Sequence, residues 1–513
     1  MTSTYRLEVW NDSRDVDHLW TNGNLGEAIP DVMTPATWSA VSEFVSRALV
    51  GAAVPGHRAF GRIGGRIYLD LSVLASIGAT FGISAETVLR TAEPIFGTLP
   101  AGTTIPLVRL PKVGTAIALG KGAVVGAVRA RTIRRNLDGL LAGIPDRCAE
   151  LHRAITDARS PAELADLWST IGPLFATVGN LMDVVHRIGS ALASTPKRLA
   201  AMEPEMLTSA GAELASLGPL LGLAALARGE LDWAGYAQRY GHRGPHEFEL
   251  SMPRPAEDPG WRDAQLALLA DAVDPADLLA AREAARAEAL RQVEAAHPRR
   301  VTRVRRALDR WAAAARMREQ VRSEAMRVFW VIRAFVLRAG ELTGLGEDAF
   351  FLSLDETIEL LHGRPADADI ALRKATYAHY VAMPPPPPLV RGSYDTEVGA
   401  VSEVAATGQV AGTGASPGVV EGLVRVLPTV EDGAQLRPGE VLVTAVTNVG
   451  WTPLFPRAAA VVTDTGALLS HAAIVARELG IPAVVGCRDA TSALRTGMRV
   501  RVDGRRGTVT QLE

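Results

Sequence analysis

The chain has 513 residues, with 54 Lys and Arg against 56 Asp and Glu, 48% hydrophobic residues and a net charge of -2 at pH 7. This length predicts about three to four domains whose cores need no covalent staples, and so weak a global field gives no reason to expect nucleic acid or an acidic membrane as partner. Cys148 and Cys487 stand far apart with no metal-ligand spacing, which excludes a disulfide framework and a zinc ribbon.

From the start of the chain, residues 1–15 lack the basic region and apolar stretch of a secretory signal. The segment Gly114 to Gly122 contains Gly-Lys but has neither P-loop spacing nor a following Ser or Thr, so it reads as a Gly/Ala-rich packing segment. The most apolar run, Leu214 to Ala227, falls short of the ~20 residues that span a bilayer and reads as a buried helix. A cytoplasmic, reducing location is the expectation. Asp274 and Pro275 open a predicted helix to Ala295, built mostly of Ala, Leu, Arg and Glu. After Pro298 a second helix is predicted over Arg299 to Arg338, with Val301, Val304, Leu308, Trp311 and Ala315 as its buried stripe. It holds twelve arginines and three acids, Asp309, Glu319 and Glu324. Two readings stay open: a face answered by acids elsewhere, or a surface that attracts phosphate.

Pro384 to Pro388 cannot continue a helix or join a ladder, and with the Gly/Ala/Thr/Val-rich stretch after them they read as a linker over 384–412. The pattern then changes to short strands: Val419 to Leu427, Glu440 to Ala445, Ala459 to Thr463, Ala483 to Val485, Arg499 to Val502 and Gly507 to Thr510. One helix, Ser470 to Leu479, lies among them. Thr463 ends a strand, the loop Asp464 to Leu469 includes Gly466, Ser470 is the predicted N-cap, and His471 falls in the first helical turn. Gly480 and Pro482 close the helix. An imidazole there meets unpaired N–H groups at the positive end of the helix dipole. That setting favours a neutral, nucleophilic ring and would stabilise a phosphoryl group upon it.

The residues Gly414-Ala415-Ser416-Pro417-Gly418, Pro438 to Val443, Trp451-Thr452-Pro453-Leu454-Phe455, Ser470 to Glu478 and Gly480 to Gly486 occur in order. Over Thr413 to Leu512 the chain resembles the mobile phosphohistidine domain of the phosphoenolpyruvate (PEP)-utilising enzymes, among them PEP synthase, pyruvate phosphate dikinase and rifampicin phosphotransferase. The resemblance implies that His471 is phosphorylated and passes the group on, with Thr463, Asp464, Gly466 and Ser470 forming its loop. Ala467 stands where the family has a second glycine, which puts loop width and acceptor geometry in question. Upstream, Asn24 to Pro30, Thr34 to Ser39, Gly64 to Leu69 and Tyr240 to Pro245 look like landmarks of the substrate-binding part of rifampicin phosphotransferase-like proteins, with His246 in place of a small residue. Arg318 and Arg322, four apart, are similar to the basic pair those enzymes place near the acceptor.

The implied fold is multidomain. A mainly α-helical, substrate-binding-like region over 1–383 precedes the linker and a small α/β, β/β/α-type swivelling domain over 413–513. With substrate-like sequence from near residue 1 and no repeated strand-helix alternation, neither the family's ATP-grasp domain nor its PEP-binding barrel is expected within this chain. The expectation is a phosphotransferase component that takes its phosphoryl group from ATP, with Mg²⁺, on a separate ATP-grasp subunit and gives it to a small-molecule acceptor. PEP as donor stays open. The acceptor group is a hydroxyl, giving an ester, or a carboxylate, giving an acyl phosphate for condensation. A non-catalytic binding protein is the competing reading, and nucleic-acid binding through Arg299 to Arg338 lacks a stacking platform. No metal site and no membrane partner are expected of the chain itself.

Overall fold

The computed structural model describes residues 8–13, 17–48, 54, 56–88, 99, 102–192, 207–394, 409–468 and 470–512. Up to residue 382 these residues are mainly helical: α1 Gly23–Ala28, α2 Pro35–Ala48, α3 Leu71–Thr80, α4 Lys112–Arg135, α5 Leu137–Asp157, α6 Pro161–Leu192, α7 Gly218–Ala227, α8 Trp233–Tyr240, α9 Trp261–Leu269, α10 Pro275–Ala296, α11 Val301–Thr343, α12 Leu354–Leu361 and α13 Ile370–Ala382. Asp274 caps α10, its carboxylate accepting from Ala276 N at 2.8 Å. The helix predicted over Arg299 to Arg338 runs on to Thr343, because strong helix formers continue until Gly344 takes the left-handed conformation at φ +78°. Val304 and Leu308 are buried as expected, but Ala312 and Ala314 rather than Trp311 continue the stripe.

The main core packs α2, α6 and α11 around four rings. Phe329 lies with its centroid 5.7 Å from Phe44, 5.4 Å from Phe175 and 5.2 Å from Phe248, each pair edge-on or steeply tilted as ring quadrupoles prefer. The Gly114 to Gly122 segment lies in α4, most of which is exposed, with Val113, Val124 and Val128 open to solvent. It is therefore not the internal packing segment the composition suggested. This 24-residue helix is also long and apolar enough, by length and composition, to cross a bilayer.

Among the described residues there are two sheets. The small one has strands β1 Leu19–Thr21, β2 Phe60–Ile63, β3 Arg66–Asp70 and β4 Leu389–Arg391, in the antiparallel order β2-β3-β1-β4. β4 puts the end of the proline run against the helical region. Tyr68 donates its hydroxyl to the carbonyls of Pro386 and Pro387 at 3.0 and 2.9 Å, and Asn22 N donates to Pro388 O at 3.2 Å. The prolines are thus no free spacer: their carbonyls still accept hydrogen bonds, and three of them are tied down. Of the stretch 384–412 read as linker, 395–408 lie outside the described residues.

The second sheet holds β5 Gln409–Ala411, β6 Thr413–Ser416, β7 Val419–Val426, β8 Val441–Thr444, β9 Ala460–Thr463, β10 Ala483–Val485, β11 Arg499–Asp503 and β12 Thr508–Gln511. Its order is β5-β12-β11-β7-β8-β9-β10-β6. β7, β8, β9 and β10 run parallel, so β9 and β10 need a crossover, supplied by α14, His471–Leu479. A short helix, α15 Ala490–Ala493, follows β10. The six predicted strands are present within one residue at each end. β5 and β6 were missed because polar and glycine residues hide them.

This α/β region sits against the helical region through a shared apolar cluster. Leu214, Leu217 and Leu220 pack with Leu454, Phe455, Ala472 and Leu479, all buried. The predicted run at Leu214 to Ala227 is largely buried as far as Ala224, with only Gly218–Ala227 helical, and its partner is the C-terminal region. Polar contacts complete the seam: Glu478 accepts from Ser209 Oγ, Ala210 N and Gly211 N at 2.6, 2.8 and 3.1 Å, and Asn448 Nδ2 donates to Pro245 O at 2.5 Å.

Candidate functional site

At the carboxyl end of β9 the chain turns through a short loop into α14, the place where parallel α/β sheets present ligand-binding groups. Ser470 is extended at φ -69°, ψ 162°, and its hydroxyl accepts from Ala473 N at 3.3 Å. This cap fixes His471 as the first helical residue. The imidazole is 7% exposed, with Nε2 3.1 Å from Thr452 Oγ1 and the Phe455 ring edge-on at 6.3 Å. Thr452 and Phe455 both come from the 3-10 segment Val449–Arg457.

Burial holds the His471 pKa well below the ordinary imidazole value, and Arg322 and Arg243 push it further down. A ring so lowered is neutral near pH 7, with burial at the seam the first cause; the sequence alone points to the helix dipole. The two arginines flank one carboxylate. Glu247 accepts from Arg243 Nε at 2.7 Å and from Arg322 Nη2 at 3.0 Å. Burial raises Glu247, but the pair of guanidinium groups overcomes it and keeps the carboxyl ionised below its usual range. Two cations thus share one anion, and among the described residues Nη1 and Nη2 of Arg243, buried, have no hydrogen-bond partner. Unpaired guanidinium donors out of water are costly unless an anion meets them. The surroundings of His471 therefore carry unmatched guanidinium donors, which is the electrostatics of a phosphoryl site.

The other predicted residues divide. Arg322 reaches this cluster. Arg318 does not: it pairs with Glu319 at 3.0 Å and lies by His186, whose pKa is lowered to about 4 mainly by burial. Four residues apart on α11, the two side chains serve different neighbours. Of the other arginines of α11, Arg305, Arg316 and Arg333 meet acids elsewhere, Glu294, Glu213 and Glu257, which is in part the first of the two readings given for that basic stretch, while Arg327 and Arg338 pair with Glu324 and Glu341 of α11 itself. Thr463 Oγ1 donates to Thr465 O at 2.7 Å, and Asp464 accepts from the backbone and hydroxyl of Thr491. Both brace the loop rather than touch the imidazole. Gly466 has φ +141°, where a Cβ would come 3.2 Å from Ser470 Oγ. Ala467 is buried, and its carbonyl still accepts from Ser470 N at 2.9 Å, so the methyl at this family glycine is accommodated. Leu469 lies outside the described residues.

Sequence reasoning quoted Glu27, Arg243 and Thr452 within motifs without giving them roles, and it passed over Glu247. Only tertiary packing shows that these four surround His471. Among the described residues no group of three or more His, Cys, Asp or Glu is placed to hold a metal ion.

A helical region carrying buried arginines, docked on an α/β region whose crossover helix starts with a neutral histidine, defines a two-part architecture with a histidine at the joint. Comparison with known proteins agrees. Residues 436–507 match the PEP-utilising enzyme mobile domain, and residues 195–322 match the rifampicin phosphotransferase fourth domain. The chain thus carries both of these domains, as the resemblance implied. It is 36% identical over 286 residues to an uncharacterised protein of Mycobacterium tuberculosis, covering 53% of this chain and 30% of that protein. It is 32% identical over 310 residues to a rifampicin phosphotransferase of a Streptomyces species, covering 53% of this chain and 33% of that one. With PEP synthase of Aeropyrum pernix the identity is 57% over 96 residues, 18% of this chain and 12% of that protein. The chain spans about a third or less of the length of these relatives.

Proposed function

We propose that this chain is a phosphotransferase component in which His471 carries a phosphoryl group to a small-molecule acceptor held by the helical region. The observation that supports it most is the neutral His471 imidazole beside Arg243 and Arg322, whose buried donors outnumber their carboxylate partner. Nε2 of His471 attacks the terminal phosphorus of the donor; the N–P bond forms as the P–O bond to the leaving group breaks. In the second step the N–P bond breaks while a P–O bond forms to the acceptor, and its electron pair returns to Nε2. Two local transfers replace one between distant sites. Alignment and charge neutralisation by the arginines supply the catalysis in the docked arrangement.

In this reading the donor is ATP with Mg²⁺ on a separate ATP-grasp subunit, and the α/β region leaves its seam to reach it. The names of the relatives support phosphoryl transfer as the chemistry. The acceptor group is a hydroxyl or a carboxylate. Incubation with labelled ATP and an ATP-grasp protein is expected to leave an acid-labile, base-stable label that His471→Ala removes. Transfer that continues in His471→Ala would overturn the proposal.

A further inference from the structure

One buried carboxyl at the seam has no part in the scheme above. Glu27, in α1 of the helical region, is 3% exposed, and its Oε1 accepts from Ala472 N at 3.3 Å. It lies across the first turn of α14, turned also toward the His471 N–H and the Ser470 hydroxyl. A buried carboxyl is expected to have a cation within reach. Among the described residues none pairs with Glu27 directly. Its neighbours are otherwise engaged: Glu247 holds Arg243 and Arg322, Glu319 holds Arg318, and Glu249 accepts from Thr34 and Thr37.

We infer that Glu27 is the general base that takes the proton from an acceptor hydroxyl as the phosphoryl group leaves His471, an inference that rests on the carrier reading. Atoms balance simply. The acceptor oxygen bonds to phosphorus, the N–P bond returns its pair to Nε2, and the hydroxyl proton passes to the Glu27 carboxylate. A useful base titrates near the working pH, and burial raises Glu27 to about 8, against the Ala472 N–H, Arg322, the His471 N–H and Ser470, which lower it. The groups facing it are few. Arg322 comes from α11 and the His471 turn from α14. On β3, which packs against α1, Arg66 donates to Pro30 O at 3.1 Å, Tyr68 is bonded to the proline carbonyls and Asp70 to His18.

Glu27 belongs to the helical region and His471 to the α/β region. The base therefore meets the phosphohistidine only when the two are docked, and a phosphoryl group carried away from the seam is out of its reach. This separation would protect the intermediate from water in transit.

The test uses the full chain phosphorylated with potassium phosphoramidate, with glycerol as the probe hydroxyl and ³¹P NMR to follow glycerol phosphate and inorganic phosphate. Wild-type transfer to glycerol or water is expected to rise about tenfold per pH unit from pH ~6.5 and to level near pH ~8. Glu27→Gln is expected to take the same label on His471, to transfer at least about tenfold more slowly at pH ~8, and to show no rising limb. Glu27→Asp, which keeps a carboxylate, should retain the limb. A Glu27→Gln protein with wild-type rate and profile, or a flat wild-type profile, overturns the role of Glu27. Absence of label on His471 in every variant overturns the carrier reading instead.

Discussion

His246 of the helical region reaches Glu431 of the α/β region, Nε2 to Oε1 at 3.4 Å, while its Nδ1 lies 2.8 Å from Asp31. Burial disfavours the imidazolium, but the two carboxylates outweigh burial and hold His246 at about 10, and the His246 bond draws Glu431 down to about 2. The histidine's contribution is therefore complete below its ordinary 6.5 and is lost as pH rises through about 10. The Glu431 contribution is present above its ordinary 4.5 and is lost as pH falls through about 2. Glu431 is largely exposed, so solvent screening limits the pair to about 0–1 kcal/mol. His246→Ala is expected to lower Tm slightly at pH ~6, with the difference from wild type vanishing near pH ~10. Thermal unfolding across that range checks it; a difference that grows with pH would contradict the assignment.

Glu478 makes the most heavily bonded polar contact of the seam, with three donors from residues 209–211 on one carboxylate. Glu478→Ala leaves the Ala210 N–H without its acceptor and the Gly211 N–H with only Ser209 Oγ at 3.2 Å. The expected loss is about 2–3 kcal/mol, read by urea unfolding. Glu478→Gln, which keeps one acceptor oxygen, should lose less.

Gly450 lies against Pro245 across the same seam, where a Cβ would come 2.5 Å from Pro245 Cβ and 2.6 Å from its Cα. Backbone cannot yield as a side-chain tip does. Gly450→Val is expected to separate the two regions while each keeps its secondary structure. Small-angle scattering should show a larger radius of gyration with an unchanged far-ultraviolet spectrum; an unchanged radius would count against tight docking.

Phe329 is fully buried among Phe44, Phe175 and Phe248. Phe329→Ala removes the ring on which the other three converge. Chemical denaturation is expected to show a loss of about 3–5 kcal/mol, and Phe329→Leu a smaller one.

The α/β region was more legible in the sequence than the helical one, for a physical reason. Its strands are short apolar runs between Gly and Pro, and Ser470, His471 and Gly480 mark the ends of α14 by local chemistry alone. Arg318 and Arg322 show the limit of such reasoning. Helical spacing places both on one side of α11, yet only Arg322 reaches the histidine, because each guanidinium follows its nearest carboxylate. The proline run shows the limit again: it lacks N–H donors, but nothing local reveals that Tyr68 will bind its carbonyls.

What the sequence by itself determined is whatever depends on neighbours a few residues away: the cap at Ser470, the position of His471 at a helix start, the strand order of polar and apolar residues, and the long run of α11. What only the tertiary structure decided is the company His471 keeps. Glu27, the Arg243–Glu247 pair and Thr452 come from three separate stretches of the chain, and they meet the His471 turn only because an apolar seam brings them together away from water.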